Sequence, residues 1–317
     1  MTDRLKLLFM GSPDFAVPAL RAVAERHQLL AVVTQPDRPK GRGRALTAPP
    51  VKVAAADLGV PVLQPERLRG RRLRLELMAF DPDAIIVVAY GQILSPRLIA
   101  GPRLGCINVH ASLLPKYRGA APIQWALLNG DAQSGVSIMR IERGLDAGAV
   151  LLQRTVDCAP DETSATLHDR LAELGAAALL DGLERISAGS AVWQAQDDEA
   201  ATYARPLQKS DGAVDFRWSA KRVDSWIRGM DPWPGAFCRY RDQPLKLFAS
   251  REQADVADEP GRVVAIDQRG LLVACQRGGV WIAALQSPGK RRMVVSDWLA
   301  GKGLAVGETL ASVENPA

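Results

Sequence analysis

The chain has 317 residues, 47% of them hydrophobic, with 40 Lys and Arg against 35 Asp and Glu and a formal charge of +5. This length and texture exclude a small disulfide-stapled module and leave room for two folded domains. Cys106, Cys158, Cys238 and Cys275 are scattered without a Cys-x-x-Cys pair, no apolar run is long enough to cross a membrane, and Asp3, Arg4 and Lys6 interrupt any signal-peptide pattern. No zinc site, no disulfide framework and no membrane association are therefore expected, and a cytoplasmic location is.

Leu7-Leu8-Phe9-Met10 predicts a buried strand. Gly11-Ser12-Pro13 predicts a turn into a helix, with Ser12 as N-cap, Pro13 at the first helical position and Phe15, Leu20 and Val23 facing inward. Leu29–Val33 reads as a second strand. The segment from Gln35 to Lys52 is long, basic and rich in Pro and Gly, carrying Arg38, Lys40, Arg42 and Arg44 on what reads as a flexible tether. Asp83–Ala89 and Cys106–Val109 predict two further strands. Apolar runs of this kind, divided by helical stretches, argue for a Rossmann-like, mostly parallel sheet with helices on both faces. Gly11-Ser12-Pro13 is not a Gly-x-Gly-x-x-Gly fingerprint, so a dinucleotide is not expected.

Within Gly105–His110, Asn108 and His110 are two positions apart and share one face of a strand. An amide NH2 and an imidazolium aimed at one point suit an oxyanion forming on a carbonyl, and a carboxylate nearby can orient the ring and move protons. Gly135–Ile141 and Ala149–Val156 predict a hairpin with Gly144-Leu145-Asp146-Ala147-Gly148 as its turn, which presents Asp146 at the tip. By itself an Asn-x-His pair is better read as a capped strand end with a satisfied polar residue, since structural networks also gather polar residues. After His110, the segment from Ser112 to Gln124 is irregular and rich in turn formers, at the strand end where open parallel sheets bind ligands. Ser112 lies near His110 without a Gly-x-Ser-x-Gly elbow, which argues against a serine nucleophile.

A helix is expected from Thr163 to about Ile186, with Leu167, Leu171, Leu174, Ala178 and Leu179 on one side. Periodicity then fades, and the chain divides into a domain over 1–189, a linker over 190–208 and a second domain over 209–317. In the last part, Ala213–Trp218, Leu245–Phe248, Arg262–Ile266, Leu271–Cys275 and Val280–Ala284 read as short strands of a small OB-like β-barrel. Lys209 and the run Lys290-Arg291-Arg292 are its candidate nucleic-acid contacts. From Pro206 onward there are 16 Lys and Arg against 13 Asp and Glu, so placement rather than net charge carries that expectation.

The Asn-Val-His-Ala-Ser-Leu-Leu-Pro run at 108–115, followed by Gly-Leu-Asp-Ala-Gly at 144–148, resembles the folate-dependent formyltransferase family, and the likeness extends over nearly the whole chain. The resemblance implies Asn108, His110 and Asp146 as catalytic groups and 10-formyltetrahydrofolate as formyl donor, with no metal. It further implies that Ser112, Leu113, Leu114 and Pro115 bind folate; the apolar stretch with Tyr90, Gln92, Ile93 and Leu94 reads as a second wall of that pocket, although core packing explains much of it equally well. The basic segment at 35–52 looks like the insertion loop of the tRNA-formylating branch, which implies methionyl initiator tRNA as acceptor; the absence of a transit-peptide pattern favours a bacterial cytoplasm, and a monomer is expected. Two positions depart from the pattern: Ala111 stands where many relatives have Gly, and Ala149 where an acidic residue or Pro is frequent. A formyltransferase acting on a small amine or sugar nucleotide, a formyltetrahydrofolate hydrolase and a non-catalytic RNA-binding protein remain the alternatives.

Overall fold

A computed structural model describes residues 4–40, 45–301 and 303–313. The chain divides into two compact units, the first made of Met1–Gly119, Gly135–Val156 and His168–Tyr203, the second of Ala120–Ser134, Asp157–Leu167 and Ala204–Ala317.

The first unit is built on β1 (Lys6–Gly11), β2 (Gln28–Val33), β5 (Val62–Leu63), β6 (Ala84–Val88), β7 (Cys106–His110), β9 (Gln133–Arg140) and β10 (Val150–Asp157). Their order across the sheet is β10-β9-β7-β6-β1-β2-β5. β1, β2, β5, β6 and β7 pair in parallel, while β9 runs antiparallel to β7. The expected mostly parallel sheet is thus present, with the predicted hairpin strands at its edge. Apolar residues fill both faces because each is covered. Leu8, Met10, Ile85 and Val87 share one buried cluster with Leu77 of α3 (Arg71–Met78) and Leu98 of α4 (Pro96–Ile99). Burying an Ile or Leu of this kind contributes roughly 1.5–3 kcal/mol.

The long helix α6 (Ser164–Ser187) approaches the sheet through glycine: a Cβ on Gly175 would lie 2.9 Å from Val109 Cγ1. The turn after β1 differs from its sequence expectation. Pro13 is the N-cap of a single 3-10 turn, Asp14–Ala16, which leads into α1 (Val17–Arg26). The Ser12 hydroxyl is occupied elsewhere, accepting from the Gln35 amide at 3.1 Å. The basic segment forms a small hairpin, β3 (Arg38–Lys40) against β4 (Ala45–Thr47), before α2 (Pro50–Asp57). Its base is anchored where Lys52 Nζ donates to Asp37 at 2.8 Å and Gln64 Nε2 donates to the same carboxylate at 2.7 Å. The short strands β8 (Arg118–Gly119) and β11 (Tyr203–Ala204) form a separate pair.

The second unit is a sheet of antiparallel strands, β12 (Phe237–Tyr240), β13 (Gln243–Gln253), β16 (Gly279–Gln286), β15 (Gly270–Ala274) and β14 (Val263–Asp267) in that spatial order, with β17 (Met293–Val294) beside β16. The two outer strands do not stay open. Arg239 of β12 bridges Ala311, and Arg262, just before β14, bridges Thr309, so the final described residues close the sheet into a barrel. This is the small barrel expected, although Ala213–Trp218 is no strand: Val214 and Phe216 are buried, but Asp215 accepts from the Arg217 amide at 2.9 Å and turns the chain. α7 (Ala220–Gly229) follows, capped by Ser219. It buries Val223, Trp226 and Ile227 in one core with Leu128 of α5 (Pro122–Leu128). That shared core is why residues 120–134 fold with this unit, although the sequence reading places them in the first domain. α8 (Val295–Leu299) adds Trp298 to the same core.

Candidate functional site

β6 and β7 are adjacent and parallel, with Val87 opposite Asn108, so the loops that follow both strands leave the sheet at one end. Ligands of open α/β sheets bind at this end. Asn108 is half-buried, and among the described residues its side-chain amide has no hydrogen-bond partner. His110, two residues on, is only 6% exposed.

The surroundings of His110 fix its ring. Nε2 lies 2.9 Å from the Tyr117 carbonyl oxygen, which can only accept, so Nε2 carries the proton of that bond. Nδ1 faces Asp146 Oδ2 across 3.7 Å, too long for a direct hydrogen bond. Asp146 Oδ2 in turn accepts from the Gly119 amide at 2.9 Å. The carboxylate therefore sits beside the ring with a donor already on one oxygen. Asp146 has φ +49, a left-handed conformation that non-glycine residues adopt at a cost of about 1–3 kcal/mol unless surrounding structure imposes it. Its neighbours supply that structure: a Cβ on Gly148 would lie 2.0 Å from the Arg140 carbonyl oxygen.

The turn after β7 is held from below. Ser137, opposite His110 on β9, donates to the Ser112 carbonyl at 2.6 Å and accepts from the Leu114 amide at 3.1 Å. Gln153 Nε2 donates to the Leu114 carbonyl at 2.9 Å. The Ser112 hydroxyl donates to the Lys116 carbonyl at 2.6 Å, a structural bond. Leu114 is buried, whereas Leu113 and Pro115 are half-buried.

The second predicted wall is of mixed character. Tyr90 is buried with Leu94 in the sheet core, and its hydroxyl has no partner among the described residues. Burial pushes the Tyr90 phenol up to about 12. Gln92 accepts from the Leu68 amide at 2.7 Å. Ile93 is 93% exposed, an apolar side chain left in solvent where the loop leaves the sheet.

The basic residues are less uniform than their sequence suggests. Arg38 is exposed and donates weakly to Gln35 Oε1 at 3.4 Å, and Lys40 ends β3. Arg42 and Arg44 lie outside the described residues. Lys209, Lys290 and Arg291 are exposed in the second unit. Arg292 is engaged there, donating to Asp231 Oδ2 at 2.8 Å and lying 3.9 Å over the Phe248 ring. Sequence reasoning missed Tyr117, Gly119 and Gln196, whose contacts with His110 and Asp146 run largely through the backbone and carry no motif.

Residues 4–183 match the formyl transferase family and residues 206–303 its C-terminal domain, so the chain belongs to the formyl transferase family. Within it, the chain falls with the methionyl-tRNA formyltransferases. It is 44% identical over 307 residues to the one from Geobacter metallireducens, covering 96% of this chain and 97% of that one. It is 48% identical over 299 residues to the one from Desulfotalea psychrophila, covering 94% and 93%. Solved structures share the fold at lower identity. The sugar 3N-formyl transferase WlaRD, solved in the presence of dTDP and 5-N-formyl-THF, aligns with TM-score 0.68 at 17% identity, over 91% of this chain and all of that one. HypX from Aquifex aeolicus in complex with tetrahydrofolic acid aligns with TM-score 0.65 at 17% identity, over 95% of this chain and 48% of HypX.

Proposed function

We infer that the protein transfers a formyl group from 10-formyltetrahydrofolate to the α-amine of methionyl initiator tRNA. The observation that carries this reading is the half-buried Asn108 amide, without a hydrogen-bond partner among the described residues, on the same strand face as His110, with Asp146 beside the ring. The family's full-length likeness supports the choice of chemistry.

The amine nitrogen attacks the formyl carbon, forming the new C–N bond while the carbonyl electron pair moves onto oxygen. The Asn108 NH2 donates to that oxygen. His110 acts through Nδ1, because Nε2 is held by the Tyr117 carbonyl. As an imidazolium its Nδ1–H would stabilise the same charge. Asp146, beyond direct hydrogen-bond reach of Nδ1, orients the ring through a bridging water and relays by the same route the proton lost by the amine to folate N10 as the C–N10 bond breaks. The products are formylmethionyl-tRNA and tetrahydrofolate. An α-amine titrates near about 8, so a useful neutral fraction exists at pH 7 without a strong base. Positioning and charge stabilisation are the harder tasks.

For the donor, the Tyr90 hydroxyl, without a partner among the described residues, and the exposed Ile93 three positions on, with the Ser112–Pro115 turn, suit a flat heteroaromatic body with polar edges. For the acceptor, Arg38, Lys40, Arg42 and Arg44 are assigned phosphate contacts, joined by Lys209, Lys290 and Arg291. Arg292 would have to leave Asp231 to take part.

The test is transfer of labelled formyl from 10-formyltetrahydrofolate, with initiator methionyl-tRNA, elongator methionyl-tRNA and glycinamide ribonucleotide as parallel acceptors. Rapid labelling confined to the initiator is expected. Transfer to the small amine alone, or release of free formate, overturns the assignment of the acceptor.

A further inference from the structure

One tripeptide holds both groups of the site. The Tyr117 carbonyl accepts from His110 Nε2, the Gly119 amide donates to Asp146 Oδ2, and between them lies Arg118, whose side chain is only 3% exposed. Arg118 Nε donates to Gln196 Oε1 at 3.0 Å and its terminal nitrogen to Asp198 Oδ1 at 2.8 Å. Gln196 Nε2 then donates to two carbonyls of the Asp146 turn, those of Asp146 and Gly148, each at 2.8 Å. The amide has one sensible orientation. Flipped, it would point its oxygen at two carbonyl oxygens and its NH2 at a guanidinium.

We propose that Gln196, aimed by Arg118, is a positioning residue that holds the Asp146 turn in its left-handed conformation and so sets the carboxylate against His110. The proposal rests on the reading that Asp146 acts in formyl transfer. Its physical basis is that the Asp146 and Gly148 carbonyls are drawn to a single donor group, which a backbone at φ +49 needs if it is not to relax. The far end of the chain of contacts is less important. Asp198 is 82% exposed, so its pair with Arg118 is weakened by water at one end. The tripeptide is fastened independently, with the Tyr117 amide donating to Thr202 Oγ1 at 2.9 Å and the Arg118 amide to the Thr202 carbonyl at 2.8 Å. Loss of Gln196 therefore leaves the His110 partner in place and frees the Asp146 turn.

The experiment compares kcat, KM for each substrate and thermal midpoint for Gln196→Ala, Gln196→Glu, Asp198→Ala, Asp146→Asn and the double variant Gln196→Ala with Asp146→Asn, in the full chain. Gln196→Glu keeps the Arg118 contact but has no N–H to donate, so it guards against a fold defect in the alanine variant. Both Gln196 variants are expected to lower kcat on the order of tenfold to a hundredfold, the cost typical of a reacting group displaced by about an ångström, with KM for tRNA unchanged. Asp198→Ala is expected to stay within about twofold of wild type. In the Asp146→Asn background, Gln196→Ala should cost nothing further, because residues acting as one unit are not additive. Additive losses, or wild-type kcat in a folded Gln196→Glu protein, overturn the positioning role while leaving the function of Asp146 intact. Full turnover by Asp146→Asn alone removes the reading beneath it.

Discussion

At the end of β7 the Asn108 amide has no partner among the described residues and the His110 ring stands 3.7 Å from a carboxylate it does not reach, whereas in the barrel unit many arginines are closed on acids of their own unit. There Arg205 meets Asp211, Arg217 meets Asp215, Arg228 meets Asp224, Arg269 meets Asp267 and Arg292 meets Asp231. A paired charge stabilises its own fold and offers little to a partner, while an unpaired dipole costs stability and stays available for reaction. The two regions thus divide the work: polar groups in the barrel mostly hold structure, and those at the strand end are left incomplete. The sum of basic residues in the barrel therefore overstates what it offers an RNA.

The sharpest break in this contrast is Asn108→Ala. Losing an oxyanion donor is expected to cost about 3–4 kcal/mol of transition-state stabilisation, a hundredfold or more in turnover, with no fall in thermal midpoint. A folded variant with wild-type turnover would remove Asn108 from the mechanism. The opposite behaviour is expected of Asp211→Ala in the barrel: stability at pH 7 falls by about 2–3 kcal/mol in urea denaturation, with kcat retained. Asp211 accepts from Arg205 and from the Gln208 amide, and the Arg205 bond, more than that amide, holds its carboxyl below the ordinary range. Because the folded value is the lower one, this stabilisation is complete above the unfolded value of about 3.9 and is lost as pH falls through the folded value. The gap between wild type and variant should accordingly narrow below about pH 4.

Replacing the four basic residues at 38, 40, 42 and 44 with Ala is expected to raise KM for tRNA on the order of tenfold at low salt, flatten its salt dependence, and leave kcat unchanged. Unaltered salt dependence would place the phosphate contacts elsewhere. Smallest of all is the Lys6–Asp81 pair at 3.1 Å, exposed at both ends, where Asp81→Asn should change stability by less than about 0.5 kcal/mol in the same urea assay.

Legibility in the sequence followed periodicity. β1, β2, β6 and β7 were readable because their apolar runs are continuous, and β13 to β16 because turn residues punctuate them. Alternation misled at Ala213–Trp218, where Val214 and Phe216 are buried as a strand would bury them although the backbone turns at Asp215. The helix α7 had a signal that went unused: Ser219 precedes Val223, Trp226, Ile227 and Met230 at spacings of three, one and three. The stretch read as a linker gave no periodic signal, yet Gln194 bridges Val150, Trp193 lies under the Arg140 guanidinium at 4.3 Å, and Gln196 braces the Asp146 turn.

By itself the sequence determined the parallel sheet, the hairpin that carries Asp146 and the residue types of the site, since each depends on neighbours a few positions away and on side chains that alternate along one strand. Only the tertiary structure decided which nitrogen of His110 is held by a carbonyl and which faces Asp146, why Asp146 can hold a left-handed backbone, and how residues 309–311 close the barrel. Those outcomes depend on hydrogen bonds between segments far apart in the chain, such as Gln196 to Asp146 across 50 residues, and much of that bonding is made by backbone atoms that every residue possesses. Composition carries no record of such bonds, because a carbonyl or an amide gains its role only when folding sets it opposite its partner.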